Sequence, residues 1–253
     1  MTHMQYDMTI IGGGSGGLTA ARLASSLGAN VLLIDKERLG GDCLQTGCVP
    51  SKSLIHVARV VHEARNAARL GLVPVNFEVD MAKINHHVQT VIGKVAEGEK
   101  VYTEDVTVRF GDVSFKSATE LTLNGETFTS RNTLISTGSR PFIPSVEGLA
   151  ETGYSTNENV FQLMSLPSSL LVVGGGPVGV ELGQAFRRLG TEVTIVEGLD
   201  RILPKEDPEV STVITEVLRS EGINVVTNAL FISAKRGENK KIVLAKRGEQ
   251  HLA

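Results

Sequence analysis

The chain has 253 residues, enough for one large domain or two modest ones, each with its own core. A hydrophobic share of 41%, a charged share of 21% and 27 glycines exclude a disordered chain and fit a soluble globular α/β protein. With 25 basic and 28 acidic side chains the formal charge is −3, too near balance for nucleic acid or an anionic membrane to be the main partner.

The start, Met1 to Asp7, has no basic stretch followed by an apolar core, so no secretory signal is read there. No apolar run approaches the roughly 20 residues of a membrane span. The first structural signal is Ile10-Ile11 leading into Gly12-x-Gly14-x-x-Gly17, with Leu18, Ala21 and Ala24 at helical spacing behind it. A second apolar strand, Val31–Ile34, ends at Asp35. In a strand–loop–helix–strand unit of this kind the first glycine permits a tight turn and the second admits a pyrophosphate to the backbone. The third lets helix and strand pack closely. The helix N-terminus offers unspent N–H groups and a positive dipole end to the phosphates, and the terminal carboxylate accepts hydrogen bonds from a ribose diol.

Next comes Gly40-Gly41-Asp42-Cys43-Leu44-Gln45-Thr46-Gly47-Cys48-Val49-Pro50-Ser51-Lys52, which holds both cysteines of the chain. On a regular helix, positions five apart have Cα atoms about 8.6 Å apart, whereas a disulfide needs at most about 7 Å. The segment is therefore expected to leave helical register, with Gly40, Gly41 and Gly47 supplying the freedom. Pro50 suits a first helical turn. Cys48 then lies near a helix N-terminus with Lys52 one turn along, and both effects favour the thiolate. Zinc would need four ligands, and neither a second cysteine pair nor a spaced His pair accompanies this one. A structural disulfide remains the bland alternative; a redox-active pair is preferred. Two cysteines are too few for a secreted scaffold, so a cytoplasmic setting is expected.

Two helices follow, Pro50–Leu70, with an apolar stripe of Val57, Val60, Val61, Ala64 and Ala68, and Ala82–Tyr102. A β-meander comes after them, in which Leu121–Leu123 and Thr127–Thr129 flank Asn124-Gly125, a strong hairpin turn. Residues 1–148 are read as one domain, 149–167 as a connector ending at Pro167, and 168–253 as a second domain. The second domain repeats the first. Val172-Val173 enters Gly174-x-Gly176-x-x-Gly179, with Val180, Phe186 and Leu189 on the following helix and Val193–Val196 ending at Glu197. Asp35 and Glu197 each lie 23 positions after the first glycine of their unit (12 to 35, 174 to 197). One glycine motif alone is weak evidence; two complete units in register are strong evidence, and they imply two dinucleotide sites. A helix over Pro208–Arg219 is expected to turn Val210, Val213, Ile214 and Val217 inward. The Lys235–Lys241 run reads as a solvated hairpin tip.

Ile10–Gly17, the Gly40–Lys52 segment, Thr137-Gly138-Ser139-Arg140-Pro141, and Val172–Glu181 with Glu197 resemble the class I pyridine nucleotide–disulfide oxidoreductases. That family includes dihydrolipoyl dehydrogenase, glutathione reductase and mercuric reductase. The resemblance implies two Rossmann-like three-layer domains, the second incomplete. It implies FAD held by Gly12, Gly14, Ser15, Gly16, Gly17, Asp35, Lys36, Gly41, Lys52, Val113, Thr137 and Gly138. It implies a nicotinamide dinucleotide at Gly174, Gly176, Pro177, Val178, Gly179, Glu181 and Glu197. A carboxylate at Glu197 repels a 2′-phosphate and favours NAD, although Arg201, four residues on, leaves NADP open. By the same resemblance Cys43 is the thiol that exchanges with substrate, Cys48 the thiolate beside the flavin, and Lys52 a residue near the flavin N5 edge. The family places Ala where this chain has Ser136.

The implied chemistry is hydride transfer from NAD(P)H to FAD, reduction of the Cys43–Cys48 disulfide, and exchange with a small disulfide, a lipoyl group or a metal ion. Ser51 leans away from glutathione reductase, the cysteine segment towards mercuric reductase, and Gly179–Leu182 with Glu197 towards dihydrolipoyl dehydrogenase. The family's third FAD motif and its dimerisation domain, with a His–Glu acid/base pair, are not among these residues. Full turnover is therefore not expected of this chain alone, and a homodimer is expected of a full-length parent. The alternatives are a flavin diaphorase or NADH oxidase, and a nucleotide-binding module with a structural disulfide.

Overall fold

The computed structural model describes residues 5–73, 78–238 and 240–252; Asn239, inside the expected hairpin tip, and Met1 to Met4, at the chain start, lie outside the described residues. Two compact units are distinguished, Met1–Pro50 with Gln89–Pro141 and Ser51–Val88 with Phe142–Ala253. In chain order the elements of the first half are β1 (Gln5–Ile11), α1 (Ser15–Ser26), β2 (Val31–Asp35), α2 (Gly41–Gln45), α3 (Cys48–Arg65), α4 (Met81–Glu99), β3 (Thr107–Phe110), β4 (Val113–Phe115), β5 (Glu120–Leu123) and β6 (Glu126–Ile135). The first unit is built on one sheet of order β3-β2-β1-β6-β5-β4. β1 pairs in parallel with both β2 and β6, and β2 with β3, while β4, β5 and β6 form an antiparallel meander.

The burial of β2 explains its unbroken apolar run. Leu32 and Ile34 pack with Tyr6, Leu121, Leu123 and Phe128 on one face. Val31 and Leu33 pack with Ile10, Leu18 and Ala21 on the other. A strand covered on both faces has no position for a polar residue, as parallel sheets require. Truncating Leu33 to Ala in such a place costs about 2–5 kcal/mol. The meander turns where the sequence predicts: Asn124 and Gly125, with φ of 51° and 86°, form the two-residue loop between β5 and β6.

The second unit takes most of α3 and the start of α4, and then α5 (Leu149–Thr152), β7 (Ser169–Val173), α6 (Pro177–Leu189), β8 (Glu192–Val196), α7 (Pro208–Ser220), β9 (Asn224–Val226), β10 (Leu230–Arg236), β11 (Lys241–Arg247) and β12 (Gln250–Leu252). β7, β8 and β9 form a parallel sheet, and β10, β11 and β12 an antiparallel one. The expected α/β class is borne out, and no helix among the described residues is long and apolar enough to cross a membrane.

Three details of side-chain packing differ from the sequence reading. On α3 the buried stripe is Leu54, Ala58 and Val61, packed in one cluster with Met81, Phe161, Phe186 and Leu189; Val60 faces solvent. The helical hairpin thus contributes its apolar face to the second unit. On α7 the buried residues are Ser211 and Leu218, and Ile214 packs against the core as expected, while Val210, Val213 and Val217 are exposed. The helix carries two possible stripes, and the one ending in Leu218 wins because the Ser211 hydroxyl donates to the buried Ile202 carbonyl at 2.7 Å. The stretch read as a connector, 149–167, packs on the second unit: Val160 and Phe161 lie in its core cluster, and the Lys241 ammonium donates to the Gly153 carbonyl at 2.6 Å.

A charged network closes the α6–α7 side of this unit. Arg188 donates to both oxygens of Glu221, at 2.8 and 2.6 Å, Gln184 donates to the same carboxylate at 2.9 Å, and Arg65 caps the Arg188 carbonyl at 2.9 Å. Burial pushes the Glu221 carboxyl up, but the hydrogen bonds and charge of Arg188, together with His62 and the Gln184 hydrogen bond, outweigh it and hold the group below its ordinary value.

Candidate functional site

The two glycine loops are the same piece of architecture, bond for bond. The Gly12 N–H donates to the Ile34 carbonyl at 2.7 Å and the Gly174 N–H to Val196 at 2.8 Å. The Gly13 N–H donates to an Asp35 oxygen at 2.7 Å, and the Gly175 N–H to a Glu197 oxygen at 2.7 Å. The second oxygen of Asp35 accepts from Glu37 and Arg38, and that of Glu197 from Leu199. Each acid thus ties its own loop and keeps lone pairs on both oxygens for a further donor.

The correspondence reaches beyond the sequence repeat. Leu39 crowds Gly13 as Ile202 crowds Gly175, and the Gly40 N–H donates to the Gly13 carbonyl as Leu203 does to Gly175, both at 2.8 Å. Gly40 has φ of 97°; Leu203, its counterpart, holds a φ of 49° without being glycine. A non-glycine residue there stores roughly 1 kcal/mol. Of these four residues only Gly40 figured in the sequence reading, and there as a source of backbone freedom in the cysteine segment. The signal was available in the positions four and five residues after Asp35 and five and six after Glu197.

The glycines divide into two kinds. A Cβ on Gly17 would lie 1.8 Å from the Gly12 carbonyl oxygen, and one on Gly179 2.3 Å from that of Gly174, so close backbone packing requires both. Gly12 and Gly174 have φ near 105°. Gly14 and Gly176 are different: both are extended, with φ of −78° and −73°, a conformation open to any residue. A Cβ on Gly14 meets only Gly41 at 3.6 Å, and one on Gly176 meets nothing within 4 Å. The protein itself gives no reason for glycine at either place. A group held against the backbone gives one, and the site fits a pyrophosphate.

Around the first loop the structure gathers most of the expected residues at the carboxyl ends of the parallel strands. Ser15, Gly16 and Gly17 open α1. Lys36 pairs with Asp112 at 3.4 Å, next to Val113 at the start of β4, and the Gly111 N–H donates to the Asp35 carbonyl. Thr137 and Gly138 follow β6, with the Thr137 Cα 3.0 Å from a Cβ built on Gly12. Gly41 lies on Gly14, a built Cβ coming 2.7 Å from its Cα. The cysteine segment is thereby anchored to the first loop by Gly40 and Gly41, two residues before Cys43. At the second loop Pro177 is the first residue of α6, followed by exposed Val178, Gly179 and, one turn on, Glu181.

The cysteine segment breaks its helix as expected. α2 ends at Gln45, Gly47 packs against the Asp42 carbonyl, and α3 begins at Cys48. Cys43 is half-buried and Cys48 exposed; the expected Cys43–Cys48 bridge is not formed, and both are thiols here. Lys52 and Glu181, 129 positions apart, are brought together: the ammonium donates to both carboxylate oxygens, at 2.8 and 2.6 Å. Arg201 turns to its own loop, donating to the Pro204 carbonyl at 3.2 Å and pairing with Asp200 at 3.7 Å.

The profile of the family described as pyridine nucleotide-disulphide oxidoreductase matches residues 6–253. The chain belongs to that family. This pyridine nucleotide-disulphide oxidoreductase chain is 33% identical over 251 residues to a mercuric reductase of Bacillus cereus, covering 98% of this chain and 40% of that one. It is 33% identical over 256 residues to a dihydrolipoyl dehydrogenase of Acholeplasma laidlawii, covering 97% and 74%. Among solved structures it superposes on the HOCl-induced flavoprotein disulfide reductase RclA from Escherichia coli with a TM-score of 0.82 at 26% identity, over 98% of this chain and 54% of that one. The chain therefore spans about half the length of several relatives it matches.

Proposed function

We propose that this chain is the nucleotide-binding portion of a flavin-dependent oxidoreductase that passes electrons from NADH to the Cys43/Cys48 pair and on to a disulfide, lipoyl or metal-ion substrate. The observation that carries it is the pair of open second glycines, Gly14 and Gly176, where only a closely held ligand explains the missing side chain. FAD is assigned to the first loop and NAD to the second. Gly41 lies against Gly14, whereas nothing comes near Gly176. That difference suits a resident ligand in the first site and an exchanging one in the second.

A bound flavin supplies a two-electron acceptor between nicotinamide and thiols. The residues of the chain do the rest. Ser15, Gly16 and Gly17 present backbone donors to a pyrophosphate, Asp35 accepts from a ribose diol, and Val113, Thr137 and Gly138 line the same strand ends. Lys52, one turn beyond Cys48 on α3, keeps its ammonium paired with the Glu181 carboxylate. Reduced Cys43 attacks a substrate disulfide, one thiol of the substrate leaves with a proton, and Cys48 as thiolate then displaces the second, which closes the Cys43–Cys48 bond. The substrate is reduced by two electrons and the pair oxidised by two.

Glu197 favours NADH over NADPH, since its carboxylate is fixed in place by two backbone N–H groups and Arg201 is engaged within its own loop. A cytoplasmic setting and a homodimeric full-length protein belong to the same proposal, on cysteine usage and family resemblance. Titrating the purified chain with FAD, FMN, NADH and NADPH tests the reading. Tight FAD binding with a separate, weaker NADH site supports it, and failure to bind FAD rejects it. Measuring NADH consumption with lipoamide, oxidised glutathione, mercuric ion and a quinone separates the thiol-dependent reading from a diaphorase.

A further inference from the structure

We propose that Ser136 is a positioning residue for the dinucleotide of the first loop. The proposal rests on the assignment of that loop to FAD. Ser136 follows the last residue of β6, and its N–H extends the β1–β6 pairing by donating to the Ile11 carbonyl at 2.8 Å. Its hydroxyl then reaches the Gly12 carbonyl oxygen at 2.9 Å, with the Ile11 carbonyl at 3.2 Å as a second acceptor.

The Gly12 carbonyl is the surface on which α1 is seated. A Cβ on Gly17 would lie 1.8 Å from that oxygen and 2.9 Å from the Ser136 Oγ, and one on Gly16 has the Ser136 Cβ as its nearest neighbour at 4.0 Å. One hydroxyl therefore sits against the end of β1, the first glycine and the third glycine. The first hydrogen bond accepted within α1 runs from Leu18 to Gly14, so the N–H groups of Ser15, Gly16 and Gly17 are unspent and their aim depends on how this turn is seated. Removing the hydroxyl leaves the half-buried Gly12 carbonyl without this donor and loosens the turn that faces the phosphates.

The test compares Ser136→Ala and Ser136→Thr with the parent chain. FAD affinity is read by quenching of flavin fluorescence, the bound pyrophosphate by phosphorus NMR, and NADH affinity and thermal midpoint serve as controls. The expected result for Ser136→Ala is about fivefold weaker FAD binding, the scale of one neutral hydrogen bond. Its pyrophosphate resonances shift, while NADH affinity stays as in the parent and the midpoint of the ligand-free chain falls by no more than about 4 °C; Ser136→Thr returns FAD affinity to within about twofold. Unchanged FAD binding in Ser136→Ala overturns the proposal, as does a Thr variant as weak as Ala. A parallel fall of FAD affinity, NADH affinity and midpoint overturns it too, because that marks a merely structural role. If the parent chain fails to bind FAD, it is the assignment of the loop that fails.

Discussion

Replacing Gly14 by Ala separates a ligand's demand for glycine from the fold's. The new Cβ meets only the Gly41 Cα at 3.6 Å, an ordinary contact, on backbone at φ −78° and ψ −171° that Ala adopts freely. Ala is a poorer N-cap than Gly by up to about 1 kcal/mol, and the stiffer unfolded chain offsets roughly 0.4–1 kcal/mol of that. The net change is within about 1 kcal/mol, a shift of roughly 2–4 °C in thermal midpoint for a chain of this size. Binding is another matter, since the methyl group occupies the place a pyrophosphate takes. Losing about two charge-assisted hydrogen bonds removes about 3 kcal/mol, roughly a hundredfold in FAD affinity. Gly17→Ala gives the opposite pattern: its Cβ lies 1.8 Å from a backbone oxygen that has no room to retreat, and the fold itself gives way. Circular dichroism melts and flavin-quenching titrations of the two variants read both effects. Parent-like FAD binding by Gly14→Ala, or a midpoint as depressed as that of Gly17→Ala, refutes the reasoning.

Other outcomes follow from the same geometry. Gly176→Ala, whose Cβ meets nothing within 4 Å, should leave the melt unchanged and weaken NADH binding alone. Glu197→Gln should narrow the preference for NADH over NADPH about tenfold in paired titrations, since one fixed negative charge is lost; an unchanged ratio contradicts the role given to it. Lys52→Met should move the midpoint by no more than a surface ion pair does, about 0.2–1 kcal/mol, because the Lys52 and Glu181 side chains are 61% and 42% exposed. A large loss of stability in that variant would show the pair to be structural. Glu221 is held below its ordinary value in the folded chain, so its contribution is present above the unfolded carboxylate range and is lost as the pH falls through the folded value. Glu221→Gln should flatten the acid limb of the stability–pH profile, and an acid limb identical to the parent's would refute this.

Much of this was legible in the sequence, and the misses share a cause. The glycine loops, their acids, the Asn124-Gly125 turn and the helix break at Gly47 all depend on local backbone chemistry, which one stretch of residues expresses by itself. Val210, Val213 and Val217 misled because α7 carries two apolar stripes, and a distant carbonyl, that of Ile202, decides which turns inward. Val60 was misread for the same reason: Leu54, Ala58 and Val61 are selected by the surface formed by Phe186 and Leu189. Ser136 registered only as a departure from the family pattern, since its partners, Ile11 and Gly12, lie more than 120 positions away. The equivalence of Leu203 with Gly40 was hidden by a one-residue slip in the repeat and by leucine standing where a positive φ suggests glycine.

The central claim, that a flavin on the first glycine loop communicates with the thiol pair, is met most directly by anaerobic reductive titration of the FAD-loaded, oxidised chain with dithionite. The account predicts uptake of about two electron pairs per bound flavin in the parent and about one in Cys48→Ser, because the cysteine bridge is then absent. A parent chain that takes up only one pair, with Cys43 and Cys48 verified as oxidised beforehand, would contradict it.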